Sequence, residues 1–232
     1  MINLSWFNII SYDIQKFNED IASHLHGRLL DVGCGRKQQL FLDKVDEYIG
    51  LDKEETLKVN KERNNTKADI FGDATALPFP DNSFDCVTSL SLYEHLPEPQ
   101  QAANEAYRVL KKGGMFALTF PFMNRLHTAP YDYYRYTEYG MRHILEKAGF
   151  KIVKIVDGGG MWKMIGARLA GYIYSDLLGI GYGESDRKVK PKKYLFPLFA
   201  PLIVFIVVMA RFLDKVNCIK TDTIHYYFLC KK

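Results

Sequence analysis

Two acids and two glycines stand where a chain could close around a nucleoside-like ligand. Leu29-Leu30-Asp31-Val32 is a short apolar run that breaks into Gly33-Cys34-Gly35, and Tyr48-Ile49-Gly50-Leu51 is another that ends in Asp52. Gly33 and Gly35 let the backbone pass close to a ligand with no Cβ in the way. Asp52, at a strand end, is placed to accept hydrogen bonds from two ribose hydroxyls. A dinucleotide site calls for GxGxxG, whose last glycine allows close helix–strand packing. Here that position is Gln38, after the bulky Arg36-Lys37. Asp31, two residues before the first glycine, is instead the acid that a cationic amino-acid moiety needs. The plainer alternatives are a tight turn for the glycines, a solvated strand end for Asp52 and a loop-holding role for Asp31.

General-base chemistry has two histidine candidates, because the unperturbed imidazole titrates near pH 6.5. His95 follows the apolar run 84–92, and His127 follows the run 115–120. Helix capping or a structural role would explain either equally well. The segment 127–137 interleaves tyrosines with Asp132 and Arg135. Asp132, Tyr134 and Arg135 would line an acceptor pocket, with rings stacking and charges hydrogen-bonding; alternatively the Asp132–Arg135 pair holds the approach to the next helix.

The elements that must position these residues alternate strand and helix. Apolar runs at 29–32, 48–52, 84–92 and 115–120 are continuous, which predicts strands covered on both faces, as in a parallel sheet. Pro99 suits a first helical turn, with Gly113 as that helix's cap. Thr137 can cap a helix whose Met141, Ile144, Leu145 and Ala148 recur at helical spacing before Gly149 ends it. Strands at 150–156 and 225–230 follow. The pattern predicts an α/β, doubly wound, Rossmann-like and mostly parallel seven-stranded sheet in one domain, 1–232. In an open sheet of this kind ligands bind at the strands' carboxyl ends.

Residues 160–221 interrupt that alternation as a helical insertion before the last strand. Two apolar stretches, 161–180 and 194–213, flank a polar, basic link. The stretch 194–210 carries no charge, and Lys188, Lys190, Lys192 and Lys193 precede it while Arg211 and Lys215 follow. Pro197 and Pro201 predict that the regular helix starts near Pro201 and is too short to cross a bilayer. A helix lying on an anionic membrane surface, a lid, a homodimer interface or ordinary packing on the sheet would each use such a segment.

Bulk properties exclude some classes. The net charge of +4 comes without a long basic run, so nucleic acid is not favoured as a partner. The four cysteines (Cys34, Cys86, Cys218, Cys230) lack metal-ligand or CxxC spacing, so neither a metal nor a disulfide framework is expected. Residues 1–17 do not read as a signal peptide. The expected location is cytoplasmic, with contact at the inner face of the membrane through 194–213 as a further option.

Taken in order, Leu30-Asp31-Val32-Gly33-Cys34-Gly35, Gly50-Leu51-Asp52, Gly72-Asp73-Ala74, the run 77–85, Tyr93-Glu94-His95-Leu96 and the run 105–114 resemble the class I S-adenosylmethionine-dependent methyltransferases over roughly residues 25–156. The resemblance implies S-adenosylmethionine as cofactor, bound by Asp31, Gly33, Cys34, Gly35, Asp52, Asp73, Ala74 and Leu90. Gly33 and Gly35 would approach the methionine part and Asp31 would orient its amino group, directly or through the loop. Asp52 would bind the ribose, Asp73 the adenine amino group and Ala74 the ring, with Leu90 lying against the donor. The family often has a third glycine where Lys37 stands. An Asp-Tyr-x-Arg-Tyr-Thr segment like 132–137 also occurs in methyltransferases encoded with surface-polysaccharide genes. The implied activity is methyl transfer to a small molecule, with a hydroxyl of a saccharide, lipid-linked saccharide or lipophilic metabolite expected as acceptor. N- or C-methylation of a ring metabolite such as a quinone, and a donor-binding partner without turnover, are the alternatives. The sequence has no Asn/Asp-Pro-Pro-aromatic motif and no Pro-Cys nucleophile, which disfavours nucleic-acid bases as acceptors.

Overall fold

A computed structural model describes residues 7–35, 37–54, 68–180, 192–217 and 219–232. Arg36, Lys188, Lys190 and Cys218, which entered the sequence reading, lie outside the described residues. The elements run α1 (Phe7–His24), β1 (Arg28–Val32), α2 (Gln39–Leu42), β2 (Glu47–Asp52), β3 (Ile70–Phe71), β4 (Phe84–Leu90), a 3₁₀ turn (Tyr93–His95), α3 (Pro99–Val109) and β5 (Leu110–Pro121). They continue with α4 (Glu138–Ala148), β6 (Lys151–Asp157), α5 (Met161–Gly171), a π-helical extension (Tyr172–Leu177), a 3₁₀ turn (Lys193–Leu195), α6 (Phe196–Val216) and β7 (His225–Lys231).

The seven strands form one sheet in the order β3-β2-β1-β4-β5-β7-β6. β1 pairs in parallel with β2 and β4, and β2–β3 and β4–β5 are parallel too. Gly113 N–H donates to Lys232 C=O and Lys232 N–H to Gly114 C=O, the reciprocal exchange of an antiparallel pair, so the sheet is mixed where β7 enters. The buried runs of β1 and β4 are the continuous apolar segments of the sequence. The order reverses direction between β1 and β4, which places the glycine loop after β1 at the switch point of the sheet.

The described residues divide into two compact units. One comprises Phe17–Pro121, Tyr131–Val156 and Tyr226–Lys232; the other comprises the start of α1 to Lys16, Phe122–Pro130 and Asp157–His225. In the first, Phe17 and Ile21 of α1 pack on Leu29, Cys86, Ala117 and Leu229 of the sheet. Pro99 opens α3, and Thr137 caps α4 by accepting the Gly140 N–H at 3.0 Å. Arg108 of α3 donates to the Leu77 and Phe79 carbonyls and pairs with Glu105 and Asp81. It thereby pins the 77–81 loop to the helix beside the site.

Two local expectations are corrected. Gly113 does not cap α3: the helix ends at Val109, and the strand has already begun when Gly113 takes its positive φ of 84°. A glycine pair is common to helix ends and to kinked strand entries, so the sequence does not separate them. Nor does α6 wait for Pro201. It starts at Phe196 with Pro197 in its first turn, where a missing N–H costs nothing, and carries Pro201 inside.

In the second unit α5 and α6 pack together. A Cβ on Gly166 of α5 would overlap the Ala210 methyl of α6, so only glycine allows this close approach. Gly166→Val is expected to destabilise the fold by about 1–3 kcal/mol through overpacking. That lowers Tm by about 3–10 °C for a chain of this size. Thermal unfolding followed by circular dichroism checks it, and an unchanged Tm would show that the two helices separate at no cost.

Candidate active site

The donor end is built by four strand ends. After β1 the chain turns through Gly33 (φ 74°) and Gly35 (φ 48°), a left-handed backbone that favours glycine. The Gly33 and Cys34 N–H groups both donate to Leu51 C=O of β2, at 2.8 and 3.1 Å. A Cβ on Gly33 would come within 2.9 Å of Leu92, whereas one on Gly35 would meet nothing within 4 Å. The loop is therefore packed on one side and open on the other.

Asp52 closes this loop. Its Oδ2 accepts the Gly35 N–H at 3.0 Å and its Oδ1 the Lys53 N–H at 2.7 Å. Each carboxylate oxygen has a further lone pair to offer a hydroxyl. Asp31 is placed differently. It is 2% exposed, and its oxygens accept the Tyr48 hydroxyl at 2.5 Å and the Thr88 hydroxyl at 2.7 Å. Burial raises its carboxyl above the ordinary range. The side chain thus ties β1 to both neighbouring strands. Cys34 is also buried; burial and the nearby Asp31 and Asp52 push its thiol up to about 12, so it is an inert spacer against Gly50.

Asp73 sits just past β3. Its Oδ1 accepts the Thr75 N–H and hydroxyl at 2.8 and 2.7 Å, and its Oδ2 pairs with Lys53 Nζ at 3.2 Å. Burial opposes ionisation, but these Thr75 and Lys53 bonds prevail and hold the carboxyl below its usual range. Ala74 lines a cleft of about 220 Å³ with Val32, Leu77, Ser89, Leu92 and Tyr93. Leu90 ends β4 and packs against the core cluster that includes Phe17 and Ile21 of α1. Lys53, which sequence reasoning missed, spans Asp52 and Asp73: its backbone bonds one and its ammonium the other. Lys37, where a third glycine was expected, turns its side chain away to Asp69 at 2.5 Å and over the Tyr48 ring. The loop keeps its glycine turn without that glycine.

A second constellation follows β4. Glu94 is fully buried, and burial pushes its carboxyl up to about 8, with Arg135 opposing and Asp132 reinforcing the rise. His95 Nδ1 lies 2.6 Å from Tyr131 C=O, which assigns the neutral ring's proton to Nδ1 and its lone pair to Nε2. That Nε2 is 3.8 Å from Glu94 Oε1. The tyrosine-rich segment is stitched over this turn. Tyr133 and Tyr134 N–H donate to Glu94 C=O, and the Tyr136 and Tyr134 hydroxyls donate to Tyr93 and Pro97 C=O. Arg135 grips Asp132 through two bonds of 2.6 and 2.7 Å. Asp132 is therefore committed to holding the segment, while the rings of Tyr131, Tyr133 and Tyr134 stay exposed.

His127 falls in the other unit, where its Nδ1 lies 3.1 Å from Arg125 C=O. That unit also holds a pocket of about 380 Å³, lined by Met123, Arg125, Met164, Ala167, Arg168 and Ile224, with Arg125 paired to Asp176 at 3.1 Å.

The loop leaves open space over Gly35, bends its backbone aside and sets beside it a buried acid with lone pairs to offer hydroxyls. Residues 30–118 match the family described as a methyltransferase domain. Over 121 residues the chain is 39% identical to the demethylmenaquinone methyltransferase of Renibacterium salmoninarum, covering 50% of this chain and 48% of that one. It is 29% identical over 192 residues to the demethylmenaquinone methyltransferase of Staphylococcus haemolyticus, covering 64% and 80%. Among solved structures, a SAM-dependent methyltransferase from Archaeoglobus fulgidus shares the fold, with a TM-score of 0.56 at 20% identity and coverage of 95% and 93%. The chain spans about half the length of the curated relatives it matches at 31–39% identity. With this signature in order on this sheet, residues 30–118 match a methyltransferase domain, and the chain has the fold of the S-adenosylmethionine-dependent methyltransferases.

Proposed function

We propose that the chain transfers the methyl group of S-adenosylmethionine to a carbon of an electron-rich, lipophilic ring of the quinol type. The observation that carries this reading is the 39% identity over 121 residues with a demethylmenaquinone methyltransferase. The saccharide hydroxyl expected from the tyrosine-rich segment has weaker support, because Asp132, Arg135 and the Tyr134 and Tyr136 hydroxyls are used within the fold.

When bound, S-adenosylmethionine supplies an electrophilic methyl on a cationic sulfur. Gly33 and Gly35 give the loop its close approach, and Asp52 orients the ribose, so the chain's main contribution is positioning. Glu94, with His95 Nε2 3.8 Å from its carboxylate, forms the proton-exchanging pair. In their proton-poor state they take the phenolic proton of the acceptor, which places negative charge on the ring carbon that attacks. The pair returns that proton to the ring oxygen and then accepts the ring proton lost on rearomatisation, so that one proton in all is released as S-adenosylhomocysteine leaves.

The test incubates the full chain with demethylmenaquinone in its reduced form and methyl-labelled S-adenosylmethionine. Label in the quinone ring is expected. Donor binding without ring methylation, alongside methylation of a lipid-linked saccharide, would transfer the activity to a hydroxyl acceptor. Donor binding with no turnover on either would favour a non-catalytic partner.

A further inference from the structure

Helix α6 is apolar on two opposite faces, and α5 covers only one of them. The covered face carries the buried Ile203, Ala210 and Asp214. Ala210 meets Gly166 of α5, and the Asp214 carboxylate accepts the Gly160 N–H at 3.1 Å, fixing the end of α6 beside the start of α5. The opposite face carries Leu198, Leu202, Phe205, Val208, Phe212 and Val216, each 46–72% exposed. Their steps of four, three, three, four and four residues put all six on one side of the helix. On α5 Ile165 and Leu169, and Tyr172 at the start of the π-helical extension, are exposed at spacings of four and three. A helix at a water-facing surface carries polar residues there; one that is apolar all round belongs against other apolar matter.

The ends of α6 say what that matter is. No charged residue lies between 194 and 210, whereas Lys192 and Lys193 precede the helix and Arg211 and Lys215 sit in its last turns. At 21 residues α6 is long enough to cross a bilayer. Crossing would, however, carry Asp214 and its partner helix, with Lys163 and Arg168, into hydrocarbon, where charges are expensive. An in-plane position avoids this: the stripe sinks to the acyl boundary while the cations at both ends stay among headgroups.

We propose that the exposed face of α6, extended by that of α5, docks this protein in the plane of an anionic lipid bilayer. This goes beyond the methyl-transfer reading and does not rest on it.

The experiment is co-sedimentation of the full chain with vesicles of phosphatidylcholine alone or mixed with phosphatidylglycerol, neither containing an acceptor. Binding to the anionic vesicles is expected, weakened by high salt. Phe205→Glu and Leu202→Glu are each expected to reduce partitioning at least about tenfold, as burying a charge at the acyl boundary requires. Calorimetric binding of S-adenosylmethionine is unchanged in both, which reports a folded domain separately. The milder Leu202→Ser with Phe205→Ser gives the same direction should a glutamate variant not fold. Absence of wild-type binding, or binding indifferent to these substitutions, overturns the proposal. So does a dimer in sedimentation velocity that Phe205→Glu makes monomeric, with no vesicle binding, which assigns the face to a second copy of the chain.

Discussion

Replacing Asp52 by alanine is expected to weaken S-adenosylmethionine and S-adenosylhomocysteine binding by about a hundredfold or more, with the sheet still folded. Hydrogen bonds to a charged partner contribute about 1.5–3 kcal/mol each, and two ribose hydroxyls would both be lost. The substitution acts a second way. Asp52 Oδ2 holds the Gly35 N–H at 3.0 Å, so its removal also frees the loop that gives the ligand its close approach. Asp52→Asn separates the two contributions. The amide keeps one acceptor oxygen but turns its NH₂ toward either the Gly35 or the Lys53 N–H, a donor facing a donor. An intermediate loss is expected. Calorimetric titration reads all three proteins, and an unchanged Kd in Asp52→Ala would place the ribose elsewhere and remove the main geometric support for the donor end.

That site was legible in the sequence because its chemistry is local. A glycine turn directly after a buried strand, and an acid at the end of the next, keep the same meaning whatever packs around them. Elements decided by distant packing were not legible. β3 is only Ile70–Phe71, too short to show any periodicity, and its pairing with β2 defines it. Pro201 reads as a helix boundary in isolation, yet α6 begins a turn earlier at Phe196. Lys53 gives no signal, since its role depends on β3 bringing Asp73 beside Asp52. The Asp132–Arg135 pair could be named from its spacing, but its confinement to holding the segment comes from the burial of the Asp132 side chain.

Glu94 is the largest case of this kind. Its type and position are plain in the sequence, but a glutamate after a strand is ordinarily solvated. What changes it is the segment at Tyr131–Tyr136, nearly forty residues on, which folds over the turn and removes water. Burial then pushes the carboxyl up to about 8, and this has a consequence for stability with a definite sign. The folded state holds a proton on Glu94 that the unfolded chain, near 4.3, releases. Its stabilising contribution is therefore complete below about pH 4 and is lost as the pH rises toward 8. Glu94→Gln, nearly isosteric with the neutral acid, is expected to match the wild-type Tm near pH 5 and to exceed it by several degrees near pH 8.5.

Activity should move the other way. A positioned acid–base group contributes about 10²–10⁴ in rate, so Glu94→Gln is expected to lower kcat at least a hundredfold while leaving the KM for S-adenosylmethionine unchanged. The rising limb of kcat near pH 8 disappears with it. His95→Asn lowers kcat comparably but leaves the carboxyl, and hence the pH dependence of Tm, in place. Measuring kcat and Tm from pH 5 to 9 for the three proteins distinguishes chemistry from packing. A residue that merely fills the space beneath the tyrosine segment would shift Tm and leave the shape of the rate profile intact. One that holds the transferred proton must change both, and in opposite directions at high pH. A Glu94→Gln protein with the wild-type rate profile would leave proton removal to some other group.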